Sequence, residues 1–331
     1  MDAEQPSAGD DVEQHRRDAE RVLEAVARAV VGKDDVLRRV LAVMAAGGHV
    51  LLEDVPGVGK TAMARAFAQA LGLRAGRIQF TPDLLPGDVT GSSVPGADGS
   101  LVFEPGPVFT QLLLADEVNR TPPKTQAALL EAMQERQVSA DGVTHALDAC
   151  FTVVATANPV ETEGTYPLPE AQLDRFLARV AVGYPAADDE RDLVQRRVQR
   201  RREAVDVPAV LDAEGYLRLR SAVEAVHVDD AVVEYAVALV RGTREHPSVQ
   251  VGASPRGSLG LVQLARAWAL MHGRSYVVPD DVADLAGDVL THRLVLRPEV
   301  WMRGEPAGAV VAAVLREVPV PRVRPAAQGA P

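Results

Sequence analysis

The chain has 331 residues, 47% hydrophobic and 24% charged, enough to bury a sizeable core in one large domain or two ordinary ones. Its formal charge of −11 disfavours a dedicated nucleic-acid binder, which would show a basic face. One cysteine, Cys150, excludes an intrachain disulfide and a cysteine-based metal cluster.

Residues 1–15 are polar and acidic, with Pro6 and Gly9, and read as a disordered tail. No N-terminal apolar run resembles a signal peptide, and no 18-residue apolar stretch could span a membrane. A cytoplasmic protein without membrane insertion is the expectation. From residue 16, Val22, Val26 and Val30 recur at helical spacing, and a second helix is predicted over 33–46.

Five short apolar runs then alternate with helical segments: HVLLE (49–53), RIQFT (77–81), QLLLADE (111–117), CFTVVATAN (150–158) and RVAVG (179–183). Runs of this kind suit strands buried on both faces of a parallel sheet, and the alternation predicts a three-layer α/β domain over 16–186. Two stretches break the rhythm. Residues 84–109 are rich in Gly and Pro and read as a hairpin insertion. Residues 137–147 centre on Asp141-Gly142, a hairpin turn between β-capable residues. After residue 186 the pattern becomes helical, over 188–204, 212–226, 229–245, 256–272 and 280–293, which predicts an all-α domain over 187–318. Residues 319–331 read as a flexible Pro-rich tail.

The chemistry concentrates where strands end. In EDVPGVGKTA (53–62) a strand, a glycine loop and a helix follow one another, so backbone N–H groups and the helix dipole face an anion. Lys60 would reach the β- and γ-phosphates of a nucleotide, and the Thr61 hydroxyl would bind Mg2+. Gly57 and Gly59 permit the backbone angles, and Pro56, Val58 and Ala62 complete the cradle. Lys60 is one of three lysines against 32 arginines, at a place where a compact ammonium suits better than a guanidinium. Asp54 stands where the strict phosphate-loop pattern has glycine. A plain strand–helix turn is the bland alternative, and the loop alone does not choose between ATPase, GTPase and small-molecule kinase.

Four further positions qualify. Asp116 and Glu117 end an apolar run, an arrangement in which Asp116 would hold Mg2+ through water and Glu117 would polarise an attacking water as general base. Asn158 ends another run and could orient that water; it could equally be a turn-forming Asn before Pro159. Arg175, after a predicted helix, could stabilise transition-state charge or form a surface salt bridge. Arg256 opens a helix of the second domain and could reach a nucleotide, or be an ordinary surface arginine. The seven histidines show no ligand spacing, so no structural metal is expected.

Together these motifs resemble the AAA+ ATPases, and specifically the MoxR family, over about residues 30–296. The most specific stretches are LLEDVPGVGKTAMARAFA, LLLADEVNRTPPKTQAALLEAMQERQV, TYPLPEAQLDRFL and GASPRGSL. The resemblance implies a P-loop NTPase core with a parallel five-stranded sheet, followed by an all-α lid, using ATP and Mg2+. It implies Walker A roles for Lys60 and Thr61, Walker B roles for Asp116 and Glu117, and sensor 1 for Asn158. It gives Arg175 as an arginine finger reaching a neighbouring subunit and Arg256 as sensor 2. Val31 and Gly32 match the segment that contacts adenine, where Lys33 replaces the usual Gln. The insert at 84–109 and the hairpin at 137–147 resemble the helix-2 insert and the pre-sensor hairpin. The same likeness implies a homo-oligomeric ring, expected as a hexamer, a von Willebrand factor A domain partner and a client protein. Three rival readings remain: a nucleic-acid motor, a magnesium-chelatase-type subunit, and an ATP-switched scaffold with little turnover.

Overall fold

The computed structural model describes residues 8–53, 57–95, 100–158 and 165–322. Two compact units divide the chain: residues 17–221, and residues 222–331 together with those before 17.

Helix α1 (Ala8–Ala27) begins inside the stretch expected to be a tail. Asp11 lies near its positive N-terminal end, and Glu13 pairs with Arg16 one turn on, at 2.7 Å. Val22 and Val26 are buried one turn apart. Helix α2 (Asp34–Ala45) buries Leu37, Val40, Leu41 and Met44. The first unit continues with β1 (Val50–Glu53), α3 (Lys60–Ala70), β2 (Ala75–Gln79), α4 (Pro86–Thr90), β3 (Gly91–Pro95), β4 (Leu101–Pro105), β5 (Leu112–Asp116) and α5 (Pro123–Glu135). It ends with β6 (Gln137–Ala140), β7 (Val143–Ala146), β8 (Thr152–Ala157), α6 (Glu170–Leu173), β9 (Ala178–Ala181), α7 (Ala187–Arg200) and most of α8 (Ala213–Glu224).

Five of these strands form one parallel sheet in the order β2-β5-β8-β1-β9. Every residue of β5 and β8 is buried, which is why both read as largely apolar runs. β2, at the edge, carries Arg77 and Gln79 on an exposed face. β8 sits between β1 and β5, so the carboxyl ends of all three lie side by side, the usual place for a ligand in such sheets. Beneath them Phe80, Phe151 and Phe176 are fully buried with Leu113 and Val153.

Both expected hairpins form. β3 pairs antiparallel with β4, and β6 with β7 across Asp141 and Gly142, whose φ angles of 49° and 78° are those of a tight hairpin turn. The rings of Phe103 and His145 join the two hairpins, stacked with centroids 4.0 Å apart.

By packing, the first compact unit runs on past residue 186 to Ser221. Polar anchors explain the extension. Val210 and Leu211 donate backbone N–H bonds to the Ala70 carbonyl, and the buried Tyr216 hydroxyl donates to the Met44 carbonyl at 2.8 Å.

The second unit holds α9 (Asp230–Glu245), α10 (Pro255–Met271), α11 (Pro279–Leu290) and α13 (Ala307–Glu317), which pack on one another, with a short α12 (Pro298–Trp301) before α13. A short antiparallel pair, β10 (Val249–Val251) with β11 (Val295–Leu296), adds to the expected helices. α9 approaches α13 closely at Gly242, where an added Cβ would lie 2.8 Å from Val314. Asp281, 3% exposed in the first turn of α11, receives both arms of the Arg274 guanidinium at 2.6 Å. No described helix is long and apolar enough to cross a membrane.

Two measurements check this packing. Arg274→Ala leaves the Asp281 carboxylate buried without its cation and should cost about 3 kcal/mol in the unfolding of the helical unit. His49 is a pH-sensitive group of the first unit. Its Nδ1 accepts the Val153 N–H at 2.9 Å and its Nε2 donates to the Met133 carbonyl at 3.1 Å. Burial, reinforced by the nearby Arg136 charge, holds its pKa down to about 3. The folded ring stays neutral, whereas the unfolded chain takes a proton below about pH 6.5. Stability is therefore fully present above that pH and falls as pH drops toward 3, by up to about 1.4 kcal/mol per unit. Urea midpoints measured between pH 7 and 5 should show this slope, and His49→Gln should flatten it.

Candidate nucleotide site

Helix α3 opens directly from a glycine turn. Gly57 and Gly59 have φ of 85° and 90°, and an added Cβ at either would meet nothing within 4 Å. Their backbone faces open space beside the N-terminus of an 11-residue helix, a cradle suited to an anion. Val58 lies between them. Asp54 and Pro56, the entry of the loop, lie outside the described residues. Lys60 is the first residue of α3, and its ammonium donates to the Ala157 carbonyl at 3.2 Å, at the end of β8.

The Thr61 hydroxyl crosses to β5 and meets Asp116 Oδ2 at 3.3 Å. Asp116 is 8% exposed, and its Oδ1 accepts from the Thr156 hydroxyl at 2.7 Å. Thr156 also accepts the Glu117 N–H at 2.9 Å. One buried hydroxyl on β8 thus holds both acids at the end of β5. Glu117 has φ 57° and ψ 50°, a left-handed backbone that is costly for a non-glycine residue and is held by these bonds. Its carboxylate accepts from Gln79 Nε2 at 2.8 Å and faces Arg120 at 3.1 Å. Hydroxyl and carboxylate oxygens at one point make a hard donor set that fits Mg2+.

Asn158 follows β8 and is buried. Asn119 fixes its main chain: Asn119 Nδ2 donates to the Asn158 carbonyl at 3.0 Å. Gln126 on α5 then ties three carbonyls together, those of Val118, Thr121 and Tyr166. The loop from Glu117 to α5 is therefore braced by side-chain amides.

Val31, Thr61 and Ala62 line one cavity of about 870 Å3, together with the basic Arg28, Arg65 and Arg197. Gly32, at φ 67°, has no room for a side chain, since a Cβ there would run into the Asp189 carboxyl. Lys33 turns away and donates to the Gly183 carbonyl at 2.8 Å, beyond β9.

The structure thus gathers Gly57, Val58, Gly59, Lys60, Thr61, Ala62, Val31, Asp116, Glu117 and Asn158 within the first unit. Arg175 is not bonded to that group: two residues past α6, its Nε donates to Gln134 on α5 at 2.9 Å. Arg256 lies in the second unit, at the start of α10, where the Ser254 hydroxyl accepts its N–H at 3.1 Å. Sequence reasoning missed Thr156, Asn119, Arg77 and Gln79. Thr156 was legible as a polar residue near the end of an apolar run; the partners of the others are set by sheet order.

Comparison with known proteins agrees with this geometry. Residues 49–178 match the ATPase family associated with various cellular activities (AAA), and residues 241–314 match the AAA lid domain. Chaperone MoxR1 of Mycobacterium tuberculosis is 44% identical, over 92% of this chain and 82% of that protein. The uncharacterised YeaC of Bacillus subtilis is 50% identical, over 92% of this chain and 96% of its own length. A solved structure from Cytophaga hutchinsonii, described as a candidate ATPase, superposes with a TM-score of 0.87 at 38% identity, covering 94% of this chain and 97% of the other. The chain belongs to the MoxR family of AAA+ ATPases, nucleotide-binding proteins of the P-loop class with an α/β core and a helical lid.

Proposed function

We propose that this protein hydrolyses ATP and uses the energy to remodel protein clients, in complex assembly or metal-cofactor maturation. The observation that carries the reading is one cluster at the ends of adjacent strands: Lys60 on the Ala157 carbonyl, Thr61 on Asp116, and Asp116 and Glu117 both on Thr156.

The phosphates of ATP lie against the N–H groups of the glycine loop, and adenine lies toward Val31 and Gly32. Lys60 offsets charge on the β- and γ-phosphates. Mg2+ held by Thr61 and Asp116 would add further neutralisation of those oxygens. Glu117 accepts a proton from water as that water attacks the γ-phosphorus. The bond from γ-phosphorus to the bridging oxygen breaks, releasing ADP and phosphate. Asn158 orients the water. Arg175 acts on the nucleotide of a neighbouring subunit, and Arg256 acts from the lid. Functionally the chain divides into a core over 16–186 and a lid over 187–318.

A finger supplied by a neighbour requires an oligomer, and the family likeness supports a hexameric ring. The name of the Mycobacterium relative supports a chaperone role. A von Willebrand factor A domain protein is the proposed partner, and the cytoplasm the proposed location. The hairpins at 84–109 and 137–147 are the proposed client-facing elements. Nucleic acid is disfavoured by the −11 charge.

Steady-state hydrolysis against protein concentration tests the reading. Turnover should rise cooperatively as rings form. Glu117→Gln should bind ATP and lose about 10²- to 10⁴-fold in kcat, and Arg175→Ala about 10³-fold or more. Mixing the two variants should restore activity, because an intact Glu117 can then meet a neighbour's intact Arg175. Wild type that binds ATP without turning it over would leave only a nucleotide-switched scaffold. Asn119→Ala should keep ATP binding and lower kcat about ten-fold through misplacement of Asn158, measured in the same assay.

A further inference from the structure

The acids at the end of β5 carry resident cations. Arg77 stands on edge strand β2, opposite Leu114 in register, with Gln79 opposite Asp116. Residues two apart on a strand share a face, so Arg77 and Gln79 reach the same side of the sheet. The Arg77 guanidinium lies 2.9 Å from Asp116 Oδ2, the oxygen that the Thr61 hydroxyl also meets. The same nitrogen donates to Gln79 Oε1 at 2.9 Å, and Gln79 in turn donates to Glu117. The Arg77 side chain is 46% exposed and that of Asp116 only 12%. A long stem therefore brings a permanent positive charge from solvent onto a nearly buried carboxylate.

The oxygen covered by Arg77 is one that a cation between Thr61 and Asp116 would use. A guanidinium and a divalent cation on one oxygen repel each other at close range. We propose that Arg77 is a positioning residue of the metal site: a resident counter-ion on Asp116 that has to leave before Mg2+ binds there with the nucleotide. The inference rests on the nucleotide-binding reading above. Arg77 stabilises the nucleotide-free form and lowers the contribution of the metal to nucleotide affinity. It leaves metal-free nucleotide binding unaltered, because Lys60 and the glycine loop hold the phosphates without it.

Calorimetric binding of ADP to the full chain tests this, once with Mg2+ and once with EDTA, for wild type, Arg77→Gln and Arg77→Lys. Arg77→Gln should tighten ADP binding in Mg2+ roughly three- to five-fold, the factor a partly exposed ion pair of this kind carries. Its affinity in EDTA should equal that of wild type. Arg77→Lys, which keeps the charge, should fall between the two. In thermal unfolding, nucleotide-free Arg77→Gln should melt below wild type and gain more from added Mg2+ and ADP. Weaker binding of Arg77→Gln in Mg2+, or an equal change in both conditions, overturns the proposal. ADP bound by wild type in neither condition overturns the nucleotide reading and this one together.

Discussion

A parallel register between two buried strands, β5 and β8, governs the rest of the site. It sets Ala115 opposite Ala155 and so brings Thr156 beside the carboxyl end of β5. Thr156 is 1% exposed, and its hydroxyl has a donor and an acceptor role to fill. It fills both, on the Asp116 carboxylate and the Glu117 N–H. A slip of one residue would send Thr156 to the opposite face and leave a nearly buried carboxylate without its hydroxyl. The apolar runs flanking it, Leu112–Ala115 and Val153–Ala155, hold the register by burial on both faces.

From that clasp outward, polar bonds replace apolar packing. Glu117 is held in a left-handed backbone that a free chain would avoid, and the surrounding structure has to over-determine it. The buried amide of Gln126 does so by binding three carbonyls from two segments, and Asn119 bridges to Asn158. Loops held this way keep a defined shape through their polar bonds. The acids they present are matched by arginines, Arg77 on Asp116 and Arg120 on Glu117. The cluster is thus charge-compensated before any ligand arrives, and binding exchanges one set of partners for another.

The hairpins show the same economy. Both belong to the first unit, and each alone is a two-stranded ribbon of marginal stability. The Phe103–His145 stack and the edge-on Phe109 ring, 5.6 Å from Phe103, bind them into one body. Near this join Leu101, Val102 and Val143 remain exposed as apolar side chains.

Much of this was legible in the amino-acid order. Buried parallel strands carry no alternation, so their apolar runs stand out, and all five strands of the sheet lie within two residues of where the runs place them. Gly57, Gly59 and Lys60 announce a strand–loop–helix turn because few residues tolerate such backbone angles. Asp116 and Glu117 stand out as charges ending an apolar run. The Asp141-Gly142 turn declares its hairpin for the same reason of backbone permissiveness. What the order of residues could not express was strand adjacency, because β8 enters between β1 and β5 only once the sheet assembles. Thr156 and Arg77 acquire their partners from that event, over separations of 40 and 39 residues. The attachment of Tyr216 to the first unit was hidden likewise, since it rests on the Met44 carbonyl, a partner that only folding supplies. Local backbone chemistry is written residue by residue; which carboxylate meets which hydroxyl or guanidinium is decided by tertiary pairing.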